Sequence, residues 1–338
     1  MKIETKVSSL ISLAAGVLCL SLAVTQANAK EFKIAVGDSS GSPQEALGIQ
    51  FAQELKERTQ GKHTVRLFLN GQLGSEQDTV NDAALGTLDF SLLAINNITP
   101  FSPSVGILTL PYMMQSLDEA IALTQGPIGQ ELVENTVRDT GVRILGWTYS
   151  GFRVLSNSKQ PVETLEDLQG MLVRVPKNAI MIDTYKAWGI NPTPMAWSET
   201  FAALQQKVVD GQDNPYMTIH SMNFHEVQQY ITNLRYLFSI EPLIVSESVF
   251  QDQDAATQQA MLEAGKAATQ FSAEFLVESE ERIKQGLVIK GMQITEPADG
   301  EKAWIEKATQ EVWPKYYDSV GGKGKVNAAL RALGRDEI

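Results

Sequence analysis

The sequence predicts an α/β protein in which an open sheet is flanked by helices, and three observations predict it. Strand-like and helix-like patterns alternate along most of the chain. The 338 residues, 43% hydrophobic and 20% charged, supply material for one large domain or two ordinary ones and exclude disorder as the main state. A helix-compatible pattern over 255–285 runs for about eight turns. That exceeds what one small domain usually needs, so this helix is expected to bridge two lobes.

Phe32-Lys33-Ile34-Ala35-Val36 alternates as a strand does, and 37–41, rich in Gly and Ser, reads as a loop. Ser42-Pro43 forms an N-cap and first-turn pair for a helix whose apolar positions are Leu47, Ile49, Phe51, Ala52 and Leu55, ending near Gly61. A strand over 64–69 completes the first β-α-β unit. Further helices are expected over 76–85, 117–123 and 129–139, with strands over 88–93 and 142–147. In the second half, a strand at 172–175 ends at Pro176 and a helix covers 178–188. A strand segment at 192–195 and a helix over 199–208 follow. Met261, Leu262, Phe271, Phe275, Leu276 and Ile283 form the apolar stripe of the long helix.

The charge balance, 28 Lys+Arg against 40 Asp+Glu, gives a net charge of -12. No window clusters Lys and Arg as a phosphate backbone would require, which argues against nucleic acid as a partner. Only one segment approaches a membrane span. It follows Lys2 and Lys6, runs over 10–24, and ends in Ala27-Asn28-Ala29. A basic start, a short apolar middle and an A-x-A exit read as a signal peptide cleaved after Ala29, so the mature chain is expected in a bacterial periplasm. The run is short for a membrane anchor, and no basic stop-transfer cluster follows it. Cys19, the only cysteine, lies inside the run and is preceded by Leu18, unlike a lipidated cysteine. The mature chain then lacks disulfides, thiolate nucleophiles and cysteine metal ligands.

Recognised catalytic signatures are missing. His220 and His225 are five apart, and neither they nor His63 supplies a zinc-protease spacing. The chain has no G-x-S-x-G elbow, Walker loop, dinucleotide fingerprint or EF-hand spacing. No enzyme activity, cofactor or metal site is expected.

Two arginines sit in apolar surroundings: Arg153 in Gly151-Phe152-Arg153-Val154-Leu155-Ser156-Asn157, after the 142–147 strand, and Arg174 within Met171-Leu172-Val173-Arg174-Val175-Pro176. A guanidinium keeps its proton and is costly to bury alone, so each requires an anionic partner or an exit to solvent. That partner is either an external anion or the protein's own Asp or Glu.

Three segments in order, Leu172 to Pro176, Asn191-Pro192-Thr193-Pro194-Met195-Ala196-Trp197-Ser198-Glu199 and Val209-Asp210-Gly211-Gln212-Asp213-Asn214-Pro215, resemble the DctP-type substrate-binding proteins of tripartite ATP-independent periplasmic (TRAP) transporters. Gly71-Gln72-Leu73-Gly74, Gly86-Thr87-Leu88-Asp89-Phe90, Leu110-Pro111-Tyr112 and Phe224-His225-Glu226-Val227-Gln228 match as well, so the resemblance spans the mature chain. It implies a two-lobed periplasmic-binding-protein fold with crossing strands, a hinge and a long lobe-spanning helix. Lobe I is expected to comprise 30–151 plus 239–279, and lobe II 152–238 plus 280–338.

The resemblance assigns the ligand carboxylate to Arg174, further second-lobe contacts to Arg153 and Asn214, an aromatic cleft wall to Trp197, and a first-lobe polar contact to Glu76. Sialic-acid members carry an acidic residue after the strand that here reads Asp89-Phe90-Ser91-Leu92-Leu93-Ala94, followed by Ile95, Asn96 and Asn97. This argues against sialic acid. Asn96 and Asn97 suit ligand hydroxyls or a second carboxylate, and equally an ordinary turn. Trp147 and Tyr149 are candidates for the cleft wall, with core packing as the other reading. The expected ligand is a sugar acid such as a uronate or aldonate; a four-carbon dicarboxylate is the alternative. The small and large TRAP membrane subunits are the implied partners of a monomeric receptor. An exported enzyme acting on an acidic sugar would instead need a general acid/base pair, for which Glu76 and Glu199 are nearest, and an amino-acid receptor would need extra acidic or aromatic groups.

Overall fold

The computed structural model of the protein describes residues 29–338; the leader and Cys19 readings fall on residues outside them. In chain order the elements are β1 (Lys30–Val36), α1 (Pro43–Arg58), β2 (His63–Phe68), α2 (Glu76–Ala84), β3 (Phe90–Leu92), α3 (Leu117–Gln125), α4 (Pro127–Thr140) and β4 (Val142–Asn157). Next come β5 (Val173–Val175), α5 (Ala179–Ala187), β6 (Thr193–Pro194), α6 (Trp197–Gln205), β7 (Gly211–Pro215), α7 (Tyr216–Ser221), β8 (Tyr230–Thr232) and β9 (Phe238–Ser246). The chain ends with α8 (Glu247–Gln251), α9 (Ala255–Ile289), β10 (Gln293–Thr295), α10 (Lys302–Glu311), α11 (Trp313–Tyr316) and α12 (Lys323–Ala332). None of these helices is long and apolar enough to cross a membrane.

The strands run in the order β2-β1-β3-β9-β4-β7-β5-β6, with β8 joining β4 and β10. Parallel pairs β1–β2 and β1–β3 lie at one end and β5–β6 and β5–β7 at the other, as expected where helices supply the crossovers. The antiparallel strands β4 and β9 connect the two ends. Along β4, Val142 to Phe152 pair with β9, Arg153 to Asn157 pair with β7, and Leu155 to Asn157 pair with β8 as well.

The expectation of a strand ending at 147 is therefore corrected. All of β4 except Arg143 is buried, and apolar periodicity vanishes where both faces of a strand are covered. Arg153 consequently lies inside a strand rather than after one.

The long helix forms as expected and extends four residues further, from its Asp254 N-cap, which accepts from Thr257 N, to Ile289. It lies along β4. The backbone N–H groups of Trp147 and Tyr149 donate to the hydroxyls of Thr269 and Ser272, both at 2.9 Å. A glycine pair permits this approach: a Cβ at Gly265 would collide with the carbonyl oxygen of Leu145, and one at Gly146 would lie 2.7 Å from that of Gly265.

Three apolar clusters result. One gathers Phe32, Phe51 and Phe90 beneath α1 and α9, and another stacks Tyr185, Trp188, Tyr236 and Trp304 edge to face. The largest takes in the middle of β4 and β9. The strand β9, α7 and the helices beyond 300 lie outside the elements expected from the sequence.

Candidate functional site

A small cavity of about 20 Å³ opens where the C-terminal ends of β1 and β5, the loop after β3 and the crossing strands converge. Its lining includes Asp38, Gln44, Glu76, Asn96, Asn97, Arg153, Arg174, Trp197, Asn214, Thr218 and Glu241. Seven of these were anticipated, namely Arg174, Arg153, Asn214, Trp197, Glu76, Asn96 and Asn97.

Trp147 and Tyr149 are corrected. Both belong to the hydrophobic core and do not line the cavity, and the Tyr149 hydroxyl is bonded to Thr124 Oγ1 at 2.7 Å. Strand alternation within a doubly covered β4 gives each an apolar surrounding. Glu199 is also away from the cavity: it is exposed, accepts from Ala196 N at 3.2 Å and caps α6.

The two arginines are in opposite electrical situations. Arg153 Nε donates to Asp213 Oδ2 at 2.6 Å, and its Nη2 donates to the Asp213 carbonyl. The same carboxylate oxygen accepts from Tyr236 Oη at 2.5 Å. Burial, the largest single influence, would lower the Arg153 pKa, but the Asp213 charge and hydrogen bond together with the nearby Tyr236 and Tyr185 outweigh it and raise the pKa above the ordinary arginine value. Arg153 is thus neutralised internally.

Arg174, on β5 and 2% exposed, reaches only a carbonyl: Nε and Nη2 donate to Met195 O at 3.2 and 2.8 Å. Its guanidinium carbon stands 5.5 Å from the Trp197 ring centroid. Among the described residues Arg174 has no ion-pair partner. Burial, reinforced by Arg153, lowers its pKa to about 10, so it remains cationic at neutral pH.

Three carboxylates share the cavity, and only Glu76 was anticipated. Glu76, in the first turn of α2, accepts from Ala94 N at 3.2 Å and from Asn97 Nδ2. Glu241, on β9, accepts from Ser150 Oγ at 2.9 Å and Ser239 Oγ at 3.3 Å. Asp38, in the loop after β1, accepts from the Trp197 indole N–H at 2.9 Å. Burial raises Glu76 and Glu241 to about 7, and burial plus the charges of Glu241 and Glu76 raises Asp38. Gln44 accepts through Oε1 from the backbone N–H groups of Gly37 and Asp38, which turns its amide nitrogen toward Glu76 and Glu241.

Two further groups are poised without partners. Asn96 Nδ2 and Thr218 Oγ1 are buried and bond to nothing among the described residues. Asn96 is fixed through its backbone, whose carbonyl accepts from Asn178 Nδ2 at 3.0 Å. Buried polar atoms are normally satisfied, so a cavity that combines such orphans with an unpaired guanidinium is built for a polar, anionic guest. The described residues contain no cluster of His, Cys, Asp and Glu able to hold a metal ion.

Asp38, Gln44, Thr218 and Glu241 escaped sequence reasoning. Asp38 sat in a segment read only as a loop. Glu241 lies in a strand with no alternation, and only a charged residue inside the apolar run Phe238–Ser246 could have signalled it.

A family model for bacterial extracellular solute-binding proteins, family 7 (DctP), matches residues 35–319. Among solved structures, a TRAP periplasmic solute-binding protein from Rhodobacter sphaeroides, apo and open, is 37% identical with a TM-score of 0.74, covering 90% of this chain and 98% of that one. One from a Polaromonas species bound to D-erythronate is 30% identical with a TM-score of 0.83 over 89% and 98% of the two chains. One from Roseobacter denitrificans with bound L-galactonate is also 30% identical, with a TM-score of 0.80 over 90% and 97%.

Proposed function

Since the chain belongs to the DctP family of bacterial extracellular solute-binding proteins, which serve TRAP transporters, we propose that it captures a small sugar acid, an aldonate or uronate, in the cavity around Arg174. One observation carries this reading: a buried guanidinium without a counter-ion faces a cavity lined by polar groups. A carboxylate accepting two parallel N–H bonds neutralises it, each bond worth about 1.5–3 kcal/mol net. The erythronate and galactonate held by the two relatives are acids of this kind.

Arg174 receives the carboxylate, Asn214 and Arg153 border it, and Trp197 forms one wall. Glu76, Asn96 and Asn97 face the hydroxyls. The lobe division runs through 151/152 and 238/239, supported by the change of partner along β4 at Arg153. Motion is the mechanism, with the lobes closing by hinge bending around the acid. The mature protein works as a periplasmic monomer after removal of residues 1–29 and hands its ligand to separate small and large TRAP membrane subunits.

A second reading, a receptor for amino acids or compatible solutes, draws on Asp38, Glu76 and Glu241, which suit an ammonium group. A thermal-shift panel of sugar acids, four-carbon dicarboxylates, amino acids and neutral sugars separates the two, because only a ligand that binds the fold raises its melting temperature. Sugar acids raise it if the proposal is right. A rise with amino acids or neutral sugars alone contradicts it.

A further inference from the structure

Resting on that reading of the cavity, we infer that the site is selective for acids bearing a single carboxylate, because its wall has one vacant cation and otherwise presents carboxylates and hydroxyl-bonding groups. The lining holds two arginines, and Asp213 already occupies Arg153. Among the described residues Arg174 is therefore the one guanidinium of this lining left for an incoming carboxylate. A second carboxylate on the same ligand would meet Asp38, Glu76 and Glu241, all nearly inaccessible to water. Once Glu76 and Glu241 have ionised, above about pH 7, like charges brought together in a dry site repel strongly, and no lysine or histidine lines the cavity to relieve them.

Hydroxyls meet the opposite reception. Each carboxylate has roughly four lone-pair positions, and the protein donors fill only some of them: one from Trp197 to Asp38, and two each to Glu76 and Glu241, toward which the Gln44 amide nitrogen also turns. The remaining positions accept ligand O–H groups. Asn96 Nδ2 donates to a ligand oxygen, and Thr218 Oγ1 either donates or accepts; both lack partners within the protein. The far part of the ligand is thereby specified as neutral and hydroxylated. A four-carbon or six-carbon diacid satisfies Arg174 with one end and leaves the other against the acidic wall.

Matched pairs that differ only in oxidation of the terminal carbon test the inference: galactonate with galactarate, and gluconate with glucarate. Affinities are measured by titration calorimetry with the full mature protein at about pH 8, above the range in which Glu76 and Glu241 ionise. The expected result is binding of at least one aldonate and an affinity for its aldarate lower by on the order of 100-fold. In Glu76→Gln or Glu241→Gln that gap narrows by about tenfold, because one opposing charge is gone. An aldarate that binds the wild type within about threefold of its aldonate overturns the inference while leaving acid capture intact. A gap that stays unchanged in both Gln variants also overturns it, since the acidic wall would not be its cause. If neither pair binds and amino acids do, the capture reading falls, and the inference falls with it.

Discussion

Trp197 donates its indole N–H to Asp38 at 2.9 Å, tying the start of α6 to the loop after β1 across the cavity. The bond satisfies a carboxylate that burial would otherwise strand, and it holds the indole beside Arg174. The two partners come from opposite ends of the sheet.

Trp197→Phe keeps an aromatic wall and removes the donor. Affinity for a bound sugar acid is expected to fall about tenfold, the worth of one charge-assisted hydrogen bond, with little change in the unliganded melting temperature. Calorimetric titration checks this, and an unchanged affinity would show that the bond contributes nothing to closure.

Asp213 and Arg174 predict opposite stability effects. Asp213→Ala leaves Arg153 buried without its counter-charge and is expected to cost about 3–5 kcal/mol in denaturant unfolding. Arg174→Met removes a buried charge that has no internal partner, so the unliganded protein should be as stable as wild type or more so. Equal losses from both substitutions would refute the distinction between a paired and a vacant guanidinium.

Glu76 gives the unliganded protein a pH dependence of definite sign. Its carboxyl ionises near 4.5 in an unfolded chain and at about 7 in the fold, chiefly because of burial. The folded state therefore holds its proton through that window, and this contribution to stability is complete below 4.5, declines as pH rises toward 7 and then levels off. The full effect is on the order of 3 kcal/mol for one such group. Melting temperatures across the window should decline with pH, and Glu76→Gln should make the decline shallower. A stability that rises through the window in wild type and falls in Glu76→Gln would contradict the burial argument.

Gly265 is the contact point of α9 on β4. Gly265→Ala drives a methyl group against the Leu145 carbonyl and should cost about 1–3 kcal/mol, whereas Ala substitution at Gly286, which has open space, should be neutral or stabilising. Parallel denaturant curves check the pair.

The part of the fold legible in the sequence is the part written in periodicity and caps. Ser42-Pro43 and the stripe through Leu276 announced the extent of α1 and α9 because each helix keeps one face against the core, although Ile49 and Leu262, read as part of those faces, are exposed. The strand β7 shows why the remainder was hidden. Its residues Gly211, Gln212, Asp213, Asn214 and Pro215 are all buried, yet none is an ordinary strand former. Their polar groups bond to Arg153, Ser156 and one another, a stabilisation that only the third dimension shows. Arg174 could be singled out because a guanidinium among Leu172, Val173 and Val175 is anomalous on its own. That Arg153, which has a similar setting, is neutralised by Asp213 was not visible, since the two are 60 positions apart. Trp147 and Tyr149 misled for a related reason: an aromatic at a strand end reads as a cleft wall only until the strand proves to continue.

The central claim is that the Arg174 guanidinium waits for an external carboxylate. Calorimetric titration of a sugar acid that binds the wild type, repeated on Arg174→Lys, tests it most directly, because lysine keeps the charge and loses the two-pronged geometry. The expected affinity of Arg174→Lys is lower by on the order of 100-fold with the fold intact. Binding by Arg174→Lys at wild-type strength would contradict it.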